Sequence, residues 1–204
     1  VHKYIDAIDR VAFIGIHTGT LGFLTDYQRD EYLQLVLDIK NGQHRIYERH
    51  LLEVSCLEGI YFALNEVRIE NNRRSQVMDV YINDEYFETF RGNGLCVSTP
   101  VGSTAYNKSL GGAVINTCTG LMQLSEIAGI HHNAYRSLGS SLILDQSHTI
   151  RFQSQSYQGA ILGVDHLVID LKDKDCICVK MSSKKARFLQ YRNVSFTQRL
   201  KRAY

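Results

Sequence analysis

No run of apolar residues in this chain approaches the roughly 20 that a membrane-spanning helix needs. The opening VHKYIDAIDR lacks the basic-then-apolar layout of a secretory signal. Charge of one sign is also missing: 23 Lys and Arg face 21 Asp and Glu, a net charge of +2. That balance is too even for a nucleic-acid binder, and the basic cluster Arg199, Lys201, Arg202 reads as a solvated tail. Five cysteines, at 56, 96, 118, 176 and 178, form no CxxC pair. Their odd number and wide spacing argue against a disulfide framework and a zinc site, and suit a reducing cytoplasm. Repeats and low-complexity segments are absent.

What is present suits a folded core. The 204 residues are 44% hydrophobic and 22% charged, enough for one large domain or two small ones. VAFIGI (11–16) is continuously apolar and β-branched and predicts a buried strand. The glycine-punctuated loop HTGTLGF follows. Thr25 and Gln28 have capping-box spacing, Tyr32, Leu33, Val36, Leu37 and Lys40 recur at helical spacing, and Asn41-Gly42 is a stop signal. This is the pattern of an α/β domain edge.

After residue 44 the texture changes. LEVSC, IYFALNEVRI, VMDVYI and EYFETF have strand composition, divided by turn signals at Asn71-Asn72 and Asn83-Asp84. Further strands are predicted at 142–145, 148–154, 166–171 and 176–181, where Cys176 and Cys178 alternate with Ile177 and Val179. Only GLMQLSEIAGI (120–130) hints at another helix. The expectation is therefore two parts. Residues 1–43 belong to an N-terminal Rossmann-like α/β domain, with the tail 182–204 packing back on it. Residues 44–181 form an antiparallel β-sandwich.

The stretch Gly92–Gly112, GNGLCVSTPVGSTAYNKSLGG, carries the most information. Glycines at 92, 94, 102, 111 and 112 accompany two serine-threonine pairs and Pro100, the only proline. The composition predicts no helix here and a strand only at LCVST. Glycine lets main chain approach a ligand closely, hydroxyls bond without adding charge, and Tyr106 offers a face for stacking. These are the needs of a nucleoside. A plain glycine-rich turn between strands has the same composition, and the residues alone leave both open.

Four segments in order, GIHTGTLGFL (15–24), ALNEV (63–67), RGNGLCVSTPVGSTAYNKSLGG (91–112) and GVDHLVID (163–170), resemble the NAD kinase family, in its short bacterial form. The resemblance implies transfer of the γ-phosphoryl group of ATP to the 2′-hydroxyl of the adenosine ribose of NAD, giving NADP. It also implies NAD bound between two domains, and a homodimer or homotetramer whose neighbouring subunit completes each site. Asn65 and Glu66 match a ribose-binding pair. Thr104, Ala105, Tyr106 and Ser109 match residues on the adenine side, and Ala128 and Ile130 match contacts to the nicotinamide portion across a subunit boundary. Phe23 is expected to close over the base. Arg91, Asp165 and His166 fall on the ribose and phosphate side, with His166 beside Arg91. No metal-ligand cluster is visible in the sequence, so Mg²⁺ is expected to ride on the ATP phosphates.

Two departures stand out. The family's Gly-Gly-Asp-Gly motif, whose aspartate is the expected general base, would lie upstream of Val1, which implies that these residues alone bind NAD poorly and catalyse little. Asn93 stands where the family usually has aspartate, so its grip on the nicotinamide carboxamide should be weaker by about 1–2 kcal/mol. A non-catalytic NAD(P)-binding sensor is the alternative those departures favour. A lipid kinase of the diacylglycerol type shares the glycine-rich start, but the polar STPVGSTAYNKS run argues against it.

Overall fold

The computed structural model describes residues 1–19 and 22–203; Thr20 and Leu21 of the glycine-punctuated loop lie outside the described residues. Two compact units result. Val1, Lys3–Arg49 and Lys184–Tyr204 make the first, and His2 with His50–Ser183 makes the second.

In the first unit, β1 (Ile16–His17) pairs in parallel with β2 (Tyr27–Gln28). Of the predicted strand 11–16 only Ile16 belongs to a strand, and Phe13 makes a single bridge to Phe188. An apolar β-branched run does not extend without a neighbour along its length. Helix α1 (Tyr32–Asn41) begins later than its predicted cap. The Thr25 hydroxyl bonds Gly22 O at 2.8 Å, and the capping box is formed by Gln28 and Glu31 instead. The predicted stop is realised: Gly42 has φ 71° and its N–H bonds Ile39 O. The periodic apolar face of α1 is not covered, however. Leu35 is buried while Tyr32, Leu33, Val36 and Leu37 are exposed.

The second unit is dominated by strands, two of which, Arg45–Cys56 and Cys176–Gln190, have residues 45–49 and 184–190 in the first. The strands are β3 (Arg45–Cys56), β4 (Gly59–Ala63), β5 (Glu66–Glu70), β6 (Gln76–Ile82) and β7 (Glu85–Ser98), then α2 (Tyr106–Ser109). After it come β8 (Leu121–Gly129), β9 (Leu142–Asp145), β10 (Thr149–Gln153), β11 (Ile161–Val164), β12 (Leu167–Asp170) and β13 (Cys176–Gln190). They join into one 11-stranded sheet in the order β12-β11-β5-β7-β6-β10-β13-β3-β4, with β8 added on β7 and β9 on β8. Where a two-sheet sandwich was expected, one continuous, mostly antiparallel sheet curls so that β4 touches β11. It closes on a core that includes Val54, Met78, Val80, Phe90, Ile150, Phe152 and Val179. Burying each such side chain contributes about 1.5–3 kcal/mol.

The helix hinted at over 120–130 is β8. Pairing with β7 and β9 on either side overrides a weak local preference. The stretch 92–112 also differs from expectation: β7 runs through Gly92 and Gly94, Gly102–Thr104 forms a 3-10 turn, and Tyr106–Ser109 is helical. Helix α3 (Phe196–Ala203) closes the chain in the first unit. There Arg199 is no solvated tail residue. It is 8% exposed, pairs with buried Asp26, and donates to the carbonyls of Phe23 and Thr25. No described helix is long and apolar enough to cross a membrane.

Candidate functional site

The polar corner Leu64-Asn65 separates β4 from β5, and the main chain there is held from two directions. On one side Thr99 N–H donates to Asn65 O at 2.8 Å and the Thr99 hydroxyl to Leu64 O at 2.6 Å. On the other, the Asp165 carboxylate accepts the N–H groups of Leu64, Asn65 and Glu66 at 2.8, 2.8 and 3.1 Å. A side chain at Gly102 would overlap the Asn65 carbonyl, so only glycine lets the 99–104 turn sit this close.

From this corner β5 runs out with alternating faces. Val67 and Ile69 enter the core, and Glu66, Arg68 and Glu70 share the opposite face. Arg68 pairs with Glu70 at 2.9 Å and lies 3.6 Å from Glu66. The guanidinium also lies 5.8 Å from the centre of the Tyr106 ring. Glu66 is 6% exposed, and its Oε2 is buried without a hydrogen-bond partner. Burial first, then the charge of Asp165, pushes its carboxyl up to about 7 against the lowering pull of Arg68. Asn65, Glu66, Thr104 and Tyr106 thus gather around one turn, with an unsatisfied acid at its base.

Most hydroxyls of the 92–112 run build that turn. Ser103 donates to Pro100 O and accepts from Ile115 N–H, Thr99 accepts from Gly102 N–H, and Thr104 donates to Val101 O. Ala105 N–H is committed to Gly102 O and its carbonyl accepts Lys108 N–H, which leaves that carbonyl's second lone pair for any ligand. Ser109 and Ala105 are exposed. Two buried side chains of β8 brace the loop from below. Gln123 bonds both N–H and C=O of Ala113, and Ser125 bonds Asn107 at 2.8 Å.

The remaining predicted residues lie elsewhere. Asn93, Arg91, Ala128 and Ile130 gather at the opposite end of the β7–β8 pairing, where Ile130 N–H bonds Arg91 O. Asn93 is five residues along β7 from Ser98, the partner of Glu66, or roughly 17 Å. Its Nδ2 donates to Asn71 O at 3.0 Å, and no described residue donates to its Oδ1. Arg91 stacks on Tyr135 at 4.2 Å. His166 instead meets His2, with ring centres 4.8 Å apart. The expected Arg91–His166 neighbourhood is therefore not formed: a straight strand keeps residues seven apart roughly 23 Å from one another. Phe23, in the first unit, packs against Phe196 at 5.7 Å.

Sequence reasoning missed Arg68, Glu70, Asn107, Gln123, Ser125 and His2. The E-V-R-I-E alternation of β5 was the available signal for the first two; the others are braces that only the fold brings near. Concavities of about 440 Å³ lie away from the corner, one in the first unit beside His17, Asp26 and Arg199, one in the second between Arg74, Arg91 and Ser154. No group of three or more His, Cys, Asp or Glu suited to a metal occurs among the described residues.

Comparison with known proteins adds five findings. The ATP-NAD kinase C-terminal domain family matches residues 64–191. NAD kinase 1 of Listeria innocua is 40% identical over 205 residues, covering 98% of this chain and 78% of the relative. NAD kinase of Levilactobacillus brevis is 41% identical over 209 residues, covering 100% and 78%. Among solved structures, yeast NADH kinase complexed with NADH superposes with TM-score 0.77 at 23% identity, over 92% of this chain and 55% of that one. An Archaeoglobus fulgidus NAD kinase in complex with ATP gives 0.73 at 20%, over 94% and 74%. The chain thus spans just over half the yeast protein's length, and at these identities the two structures show a shared fold alone.

Proposed function

The chain belongs to the NAD kinase family, and we propose that it phosphorylates the 2′-hydroxyl of the adenosine ribose of NAD, with ATP as donor and NADP as product. The observation that carries this reading is the Asn65–Glu66 corner, where a neutral amide and a buried, unpartnered carboxyl oxygen stand beside the Tyr106 ring. Vicinal hydroxyls both donate and accept, and an amide with a carboxyl group answers both demands. Tyr106, with the Ala105 carbonyl, Thr104 and exposed Ser109, supplies the adenine side.

Asn93 keeps its oxygen for the nicotinamide carboxamide. Ala128 and Ile130, at the same end of the β7–β8 pairing as Asn93, contact the nicotinamide portion across a subunit boundary in a homodimer or homotetramer. Arg91 offers a positive charge at the same end, with Asp165 and His166 behind the ribose. Phe23 belongs to the first unit, which we read as part of the family's N-terminal α/β domain.

Phosphoryl transfer rests on positioning and charge stabilisation. The corner would fix the attacking hydroxyl while the γ-phosphoryl group passes to its oxygen, ADP leaves and the hydroxyl proton is released, and Mg²⁺, bound with the ATP phosphates, would offset their charge. The test is NADP formation by the full-length protein given NAD, ATP and Mg²⁺, read with an NADP-specific dehydrogenase. NADP is expected only with both substrates, and Asn65→Ala should reduce it at least about tenfold. NADP binding without turnover would mark a sensor instead, and ATP hydrolysis without NADP would sink the reading.

A further inference from the structure

Resting on the NAD reading, we propose that Asp165 and His2 are positioning residues, a strut that holds the Leu64–Glu66 corner in the conformation presenting Asn65 and Glu66 to the ribose. The Asp165 carboxylate accepts four bonds. Oδ1 takes the N–H groups of Asn65 and Glu66, and Oδ2 takes that of Leu64 and the His2 ring Nε2 at 2.9 Å. The main chain of Asp165 closes the same clasp. Its N–H donates to Glu66 O at 3.0 Å, and its carbonyl accepts from Arg68 Nη1 at 3.2 Å.

Three successive amides converging on one oxygen pair make a fixed anion-binding concavity, so the corner's shape depends on that charge. With about four acceptor sites on a carboxylate, Asp165 has none left for a ligand, and its influence on NAD must pass through Asn65 and Glu66. Asp165 reaches this place by adopting φ +50° in the turn between β11 and β12, a conformation aspartate tolerates better than most residues. His2 is wedged between this carboxylate and the edge of His166, and its side chain is only 18% exposed.

The experiment compares Asp165→Asn, Asp165→Gly, His2→Ala and His2→Gln in the full-length protein. Asparagine replaces one oxygen by a donor that faces other donors. Glycine removes the strut while relieving the positive φ, so this variant is expected to fold. Both should raise KM for NAD about tenfold or more, leaving KM for ATP within about twofold. His2→Ala should raise KM for NAD by about threefold, and His2→Gln, which keeps a donor near the Nε2 position, should restore it. Amide hydrogen exchange at Leu64, Asn65 and Glu66, measured without any ligand, should accelerate in the Asp165 variants.

Unchanged KM for NAD in a folded Asp165→Asn protein overturns the proposal. So does equal behaviour of His2→Ala and His2→Gln, or unaltered exchange at the three amides. Faster exchange in the variants together with no NAD turnover by the wild type would instead overturn the underlying NAD reading while leaving the strut in place.

Discussion

Glu66→Gln is expected to flatten the pH dependence of stability between pH 4.5 and about 7. The folded carboxyl is pushed up to about 7 from 4.5, first by burial and then by Asp165. Below pH 4.5 the proton is held in both the folded and the unfolded chain, and the stabilising difference is fully present. As pH rises, the unfolded chain releases its proton first, and stability falls until the folded carboxyl has also ionised near 7. The rise from 4.5 to about 7, at about 1.4 kcal/mol for each pH unit, gives a loss of up to roughly 3–4 kcal/mol. Glutamine cannot ionise, so the variant should keep that stability at neutral pH and fill the orphan Oε2 position with a donor. Urea denaturation from pH 4.5 to 8, with wild type and variant side by side, reads the effect. Parallel curves would refute the argument, because they would mean that Glu66 ionises as freely folded as unfolded.

Three further outcomes are expected. Asn93→Asp loses the donor to Asn71 O and sets a carboxylate against that carbonyl, so it should cost about 1–3 kcal/mol in denaturation while tightening NAD binding by about 1–2 kcal/mol in calorimetry. Gly102→Ala should displace the turn from Asn65 and abolish detectable NAD binding even where the core still gives a cooperative transition. Arg199→Met leaves Asp26 buried and unpaired, and a loss of about 3–5 kcal/mol in urea denaturation is expected; a loss below about 1 kcal/mol would show the pair to be idle.

The sequence was most legible where a strand alternates and a turn is punctuated. Asn83-Asp84 does turn β6 into β7 with both residues at positive φ, and Cys176–Val179 does alternate in β13. Legibility failed where partners decide. Residues 120–130 have no strong local preference, and only the neighbours β7 and β9 make them a strand. Tyr32, Leu33, Val36 and Leu37 show helical spacing, but spacing cannot say what covers a face.

Within the proposed site, the motifs single out Asn65, Glu66 and Tyr106, and the structure brings them near one turn. The hydroxyls of Thr99 and Ser103 are ligand-like in composition, yet Thr99 donates to Leu64 O and accepts from Gly102 N–H, and Ser103 donates to Pro100 O. Asp165 looked like a ligand contact, yet it is spent on three amides 100 residues away in sequence. A side chain's type is local information, whereas the partner that satisfies it is not.

A crystal structure of the full-length protein with NAD tests the central claim most directly. The account predicts the adenine against Tyr106 and the ribose hydroxyls within hydrogen-bond distance of Asn65 and Glu66. A dinucleotide seated in the Arg74–Arg91 concavity, with the Asn65–Glu66 corner untouched, would contradict it.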